Sequence, residues 1–121
     1  MAKTGGGAII NISSLASLKP SPVTTVYSAA KAGLNALTAA SAQEYAAANI
    51  RINCIICGTF DTDAAAGMLA NDDIRKMVIE PVALKRVGDA DEVTGAAIYF
   101  ASAASAFTTG ACLTIDGGVR P

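Results

Sequence analysis

Residues 8–31 read Ala-Ile-Ile-Asn-Ile-Ser-Ser-Leu-Ala-Ser-Leu-Lys-Pro-Ser-Pro-Val-Thr-Thr-Val-Tyr-Ser-Ala-Ala-Lys, and within this stretch the pattern changes twice. Ala8 to Ser13 is short, β-branched and mostly apolar, as a buried strand should be. Pro20 and Pro22 then predict a loop over 17–25. From Val26 to Asn49 no proline intervenes, and Tyr27, Ala30, Leu34, Leu37, Ser41 and Tyr45 recur at three-and-four spacing. That spacing predicts one long helix. A second apolar run, Ile50 to Ile56 (Ile-Arg-Ile-Asn-Cys-Ile-Ile), follows at once and completes a strand–helix–strand unit.

Beyond it, Gly58 to Gly67 reads as loop. A short helix is predicted over 71–79, with Asn71 or Asp72 as its cap and Pro81 closing it. Asp89 precedes Glu92 by three positions, the spacing of a capping box, and the helix it opens should run to about Ala101. Ala111 to Ile115 is the third strand, closed by Asp116-Gly117-Gly118. The order strand, helix, strand, helix, helix, strand predicts an α/β fold: about three parallel strands covered by helices, in one domain over 1–121. Parallel sheets need both faces and both edges protected, so something is expected to be missing or supplied by another chain.

Composition agrees. The chain has 121 residues, 52% of them hydrophobic, and a mean hydropathy of +0.43, too apolar for a disordered chain. A net charge of −1 without a basic run argues against nucleic acid and against an anionic membrane as partner. No apolar stretch approaches the roughly 20 residues of a spanning helix. Met1 to Gly7 has no apolar segment behind Lys3, so no leader is expected, and a reduced, cytoplasmic protein is the simpler reading of three cysteines. Cys54 and Cys57 form a C-x-x-C. It lies in a strand-like run, whereas the redox form of that motif sits at a helix N-terminus; packed thiols are expected instead. With no histidine, a zinc site would have to recruit carboxylates or a second chain.

Tyr27 and Lys31 are four apart on the long helix, hence on one face. A neighbouring ammonium favours a phenolate, so such a pair is a plausible acid–base device. Equally, it is what any helix with a packed tyrosine and a solvated lysine shows. Ser14 stands at the carboxyl end of the first strand, where α/β sheets bind ligands. A serine there can donate to a substrate oxygen, or simply cap a turn.

The surroundings of these residues carry a resemblance. Asn11-Ile12-Ser13-Ser14-Leu15-Ala16, then Tyr27-Ser28-Ala29-Ala30-Lys31-Ala32-Gly33, resembles the active-site segment of the short-chain dehydrogenases/reductases. Ile50 to Asn53, Gly58 to Thr62, Arg86-Val87-Gly88 with Asp91-Glu92-Val93, and Thr109-Gly110 with Ile115 to Gly118 resemble later segments of that family, in order. The resemblance implies a partial Rossmann-like, doubly wound parallel sheet, the first half of the fold being absent. It implies that Ser14 orients the substrate oxygen, that Tyr27 is the general acid/base, and that Lys31 favours the phenolate and bonds the nicotinamide ribose. Gly58, Thr59 and Thr62 would face the nicotinamide end, and the reaction would be hydride transfer between NAD or NADP and an alcohol/carbonyl substrate.

Four departures qualify the implication. The family's Thr-Gly-x-x-x-Gly-x-Gly turn, its Asn-Asn-Ala-Gly strand end and its catalytic helix Asn do not occur before Ser14, so this chain resembles the catalytic, C-terminal half only. Cofactor binding by the chain alone is therefore expected to be weak, and the isolated chain inactive. Cys57 stands where the family usually has Pro. The open edge of the first strand and the uncovered side of the long helix are expected to drive self-association, as a dimer or higher. The other reading is a non-catalytic, self-associating remnant or small-ligand-binding module of the same descent.

Overall fold

The computed structural model describes residues 1–119. Its strands and helices, in chain order, are β1 (Gly7–Ser14), α1 (Thr25–Tyr45), β2 (Ile50–Cys57), β3 (Phe60–Asp61), α2 (Asp63–Leu69), α3 (Asp72–Ile79), β4 (Gly88–Asp89), α4 (Thr94–Ala101) and β5 (Cys112–Ile115). The main sheet is parallel with the order β1-β2-β5. Its register runs from Gly7 opposite Ile50 to Ser14 opposite Cys57, so β1 and β2 end level.

β2 is the centre, and its continuous apolar run reflects that: Ile52, Cys54, Ile55 and Ile56 are all buried. Alternation sends Ile52, Cys54 and Ile56 to one face and Arg51, Asn53, Ile55 and Cys57 to the other. α1 covers the first face. Thr38 accepts a hydrogen bond from Asn11 Nδ2 at 2.9 Å, and Cys54 Sγ lies 3.6 Å from Asn35 Oδ1. The second face meets α4 and the segment after it. Arg51 Nη2 donates to the Phe100 carbonyl at 2.8 Å, and Asn53 Nδ2 to that of Thr108 at 2.9 Å. Helices on both faces of a parallel sheet are the partial Rossmann-like arrangement expected.

The long helix forms where expected but does not present the expected inner face. Its buried residues are Ser28, Thr38 and Ala42, while Tyr27, Leu37 and Tyr45 are exposed. The regular spacing of the large side chains thus reports the helix, and a stripe of small and polar residues lets it sit close to the sheet. α-Helical geometry also stops at Tyr45; a 3-10 turn follows, and Asn49 adopts a left-handed φ of 57° to swing into β2.

The segment 58–67 is not the loop expected. β3 pairs in parallel with β4, and α2 begins at Asp63, where the Thr62 hydroxyl accepts from Ala65 N–H. Gly58 and Gly67 suggest breaks, yet the threonine cap and the run Ala64-Ala65-Ala66 favour a helix more than one glycine opposes it. α3 starts as predicted, with Asn71 Oδ1 accepting from the Asp73 and Ile74 amides at 3.0 and 3.1 Å. The Asp89–Glu92 capping box forms, although the first turn it opens is 3-10 and continues as α4. Among the described residues β1 pairs only with β2, leaving Ile9 and Ile12 exposed, and no helix is long and apolar enough to cross a membrane.

Candidate active site

Just beyond β1 the chain turns sharply. Ser14 Oγ accepts from the Ala16 amide at 3.2 Å, and Ser17 Oγ donates to the Ser14 carbonyl at 2.6 Å. A hydroxyl that accepts in this bond keeps its own hydrogen to donate elsewhere. The loop then delivers α1 at a defined angle. Ser21 N–H and hydroxyl both meet Thr24 Oγ1, at 3.2 and 2.9 Å, and Pro22 presets the helical φ.

Tyr27 lies in the first turn of α1, half-exposed, and Lys31 one turn later. The Lys31 ammonium donates to the Ile12 carbonyl at 2.8 Å and stands 5.8 Å from the centroid of the Tyr27 ring. That separation is within cation–π range. Ser13 Oγ in turn donates to the Lys31 carbonyl at 3.2 Å. The strand end and the helix start are therefore tied twice at the level of the two candidate side chains.

The opposite wall comes from the end of β2. Gly58 N–H donates to the Ile115 carbonyl at 2.8 Å, and a Cβ built on Gly58 would stand 2.7 Å from Asp116 Cα. Only glycine lets the two strand ends approach this closely. Burial pushes the adjacent Cys57 thiol up, and the Lys31 ammonium partly opposes the shift. Thr59 holds β4 through its carbonyl, which accepts from Gly88 N–H at 3.0 Å.

These walls enclose a cleft of about 920 Å³ at the carboxyl ends of β1 and β2. All six candidate residues border it: Ser14, Tyr27, Lys31, Gly58, Thr59 and Thr62. Of these, Thr62 is also engaged as the cap of α2. The remaining lining is mostly apolar and includes Ala64, Ala65 and Met68 of α2, Val78 of α3, and Val93. Sequence reasoning missed that wall because it missed α2; Thr62 as a cap ahead of an alanine run was the available signal. A hydroxyl, a phenol and an ammonium on one side, with an apolar surface on the other, can hold a small oxygen-bearing ligand and move a proton to or from it.

A family model described as enoyl-(acyl carrier protein) reductase matches residues 1–120. The chain belongs to the short-chain dehydrogenase/reductase family. It is 43% identical over 119 residues to a 3-oxoacyl-[acyl-carrier-protein] reductase of Chlamydia trachomatis, covering 98% of this chain and 47% of that protein. A 7alpha-hydroxysteroid dehydrogenase of Clostridium sardiniense is 36% identical over 98% of this chain and 45% of its own. Among solved structures of the family, a gluconate 5-dehydrogenase from Burkholderia cenocepacia, in complex with NADP and tartrate, superposes with a TM-score of 0.93 at 33% identity. The match covers 98% of this chain and 46% of that one. This member of the short-chain dehydrogenase/reductase family thus spans about half the length of the curated relatives it matches.

Proposed function

We propose that this chain carries the acid–base half of an oxidoreductase site that moves hydride between a nicotinamide cofactor and an alcohol/carbonyl substrate. One observation carries the reading: Ser14, Tyr27 and Lys31 converge with Gly58, Thr59 and Thr62 on a single cleft. The donor set suits the nicotinamide end of NAD or NADP, since Lys31 and the threonine hydroxyls match ribose hydroxyls and a carboxamide. When bound, that group supplies or accepts the hydride. Ser14 donates to the substrate oxygen and steadies charge developing there. Tyr27 gives that oxygen its proton, or takes it back. Lys31 keeps a positive charge beside the Tyr27 ring and offers its remaining donors to the ribose.

The pyrophosphate finds no such match, because no glycine-rich turn opens a helix at the cleft among the described residues. We take the isolated chain to bind dinucleotide weakly and to turn over little. The same proposal includes self-association of the isolated chain, supported by exposed Ile9 and Ile12 on the β1 side and Val26 and Leu37 on α1. A stable monomer in light scattering at micromolar concentration counts against that part. Three free thiols fit a reducing, cytoplasmic setting.

The site reading is tested by transplanting these residues into the Chlamydia trachomatis relative in place of its matched span. NADPH and NADH oxidation is then followed with 3-oxoacyl thioesters and a panel of ketones. Turnover that disappears on Tyr27→Phe supports the reading. A folded, dinucleotide-binding chimera without turnover overturns it, and sustained turnover by the isolated chain overturns its dependence on a further segment.

A further inference from the structure

We propose that Cys54 and Cys112 form a reversible disulfide across the β2–β5 ladder, a redox-modified site distinct from the candidate active-site cleft. The two residues are register partners on parallel strands. Partners in such a ladder project side chains to the same face from backbones about 4.8 Å apart, within the roughly 4.4–6.8 Å that a disulfide spans between Cα atoms.

The pair is unequal in access. Cys54 is 0% exposed, while Cys112 is exposed on β5, an edge strand of the sheet. Burial first, and the Cys112 thiol second, push the Cys54 thiol up to about 11. An oxidant therefore meets Cys112 first. Cys57 is excluded by parity: three residues from Cys54 along an extended strand, it points to the opposite face and borders the cleft. The C-x-x-C cannot close while β2 persists, whereas the cross-strand pair closes without leaving the ladder.

A hydroperoxide is the oxidant the chemistry calls for. The Cys112 thiolate attacks its terminal oxygen, the O–O bond breaks, and an alcohol (water, from hydrogen peroxide) departs, leaving a sulfenic acid. Cys54, giving up its proton, attacks the Cys112 sulfur; the S–S bond forms, the S–OH bond breaks, and hydroxide leaves with that proton as water. Two electrons pass from the thiols to the peroxide. A small thiol reverses the bridge by exchange. In a reducing compartment such bridges are transient and redox-sensing rather than structural.

The test treats the purified chain with hydrogen peroxide, quenches it by alkylation, and counts thiols after denaturation. Titratable thiols should fall from the three free cysteines to one, with a mass loss of two hydrogens. Trypsin leaves Cys54 and Cys57 on peptide 52–75 and Cys112 on 87–121, so the Cys57→Ser variant is run in parallel. The linked pair of peptides should persist in Cys57→Ser and disappear in Cys112→Ser, whose exposed position keeps the fold, as circular dichroism should show. Persistence of all three thiols, a link that requires Cys57, or Cys112-linked dimers as the sole product overturns the proposal.

Discussion

Lys31 Nζ donates to the Ile12 carbonyl at 2.8 Å, so the ammonium of the candidate site is also a bond between α1 and the end of β1. Replacing Lys31 should therefore have two separable effects. Lys31→Met keeps the stem and removes the donor, and should lower stability by about 1 kcal/mol, the value of an ordinary hydrogen bond, since solvent weakens the charged one. In the transplanted enzyme it should also lower kcat more than it raises KM. Urea unfolding and steady-state kinetics check the two separately. A variant with unchanged kcat would leave Lys31 as a strand tether only.

The polar inner stripe of α1 predicts where that helix is sensitive. Thr38 is 0% exposed; its hydroxyl donates to the Leu34 carbonyl at 2.8 Å and accepts from Asn11 Nδ2 at 2.9 Å. Thr38→Val conserves shape but strands the Asn11 amide, and should cost about 1–3 kcal/mol. Thr38→Ser should recover most of that. Equal denaturation midpoints for the valine and serine variants would show that packing alone matters at this position.

Gly58→Ala tests the close approach of β2 to β5. The new methyl would meet Asp116 Cα at 2.7 Å and its Cβ at 2.8 Å, neither of which is the end of a flexible side chain. The strand ends must part and the Gly58–Ile115 bond must stretch, at a cost of about 1–3 kcal/mol. Faster amide exchange at position 58 should accompany a lower urea midpoint. An unchanged midpoint would mean that the turn after β2 yields freely.

Acid should act through Glu92. Arg86 grips its carboxylate with two bonds of 2.6 Å, and Asp89 N–H adds a third at 2.7 Å. The Arg86 bonds first, then the Asp89 amide, hold the Glu92 carboxyl down from 4.5 to about 2. A depressed folded value means that the unfolded chain binds the proton more readily. The stabilisation is thus present above the ordinary carboxylate value and lost as pH falls towards about 2. Both side chains are substantially exposed, at 50% and 43%, so solvent screening keeps the effect small. Stability of Glu92→Gln should lie below that of the parent near neutrality and converge with it at the acid end. Parallel acid limbs for the two proteins would rule this out.

Legibility in the sequence followed physical range. β1, β2 and β5 are short apolar runs, and α1 is long and uninterrupted, so local pattern sufficed for their existence and order. Ser14, Tyr27 and Lys31 were singled out by position and spacing, whereas Gly58, Thr59 and Thr62 came only from the family resemblance; all six line one cleft. Most of what failed depended on contacts distant in sequence. β3 and β4 are two residues each and exist only because they pair across the chain. The inner face of α1 was hidden because close helix–sheet packing selected Ser28 and Thr38 over the larger residues nearby. α2 was hidden by its glycine, and with it went the apolar wall that faces Tyr27 across the cleft.

Tyr27 is where stability and function should come apart. Its side chain is 50% exposed, and the Lys31 ammonium stands 5.8 Å from its ring centroid. Removing only the hydroxyl, as in Tyr27→Phe, keeps that ring and should move stability by no more than about 0.5 kcal/mol. A general acid/base contributes about 10²–10⁴-fold to a rate, so the same change should lower kcat in the transplanted enzyme by that factor while dinucleotide affinity holds. Ser14→Ala provides the contrast: it also removes the acceptor for the Ala16 amide at 3.2 Å, so it should cost both rate and some stability. Thermal unfolding, fluorescence titration with NADPH and initial rates together separate these outcomes. If Tyr27→Phe kept its rate, the proton would have to come from another group on the cleft, and the acid–base assignment would fall while the fold and the family would stand.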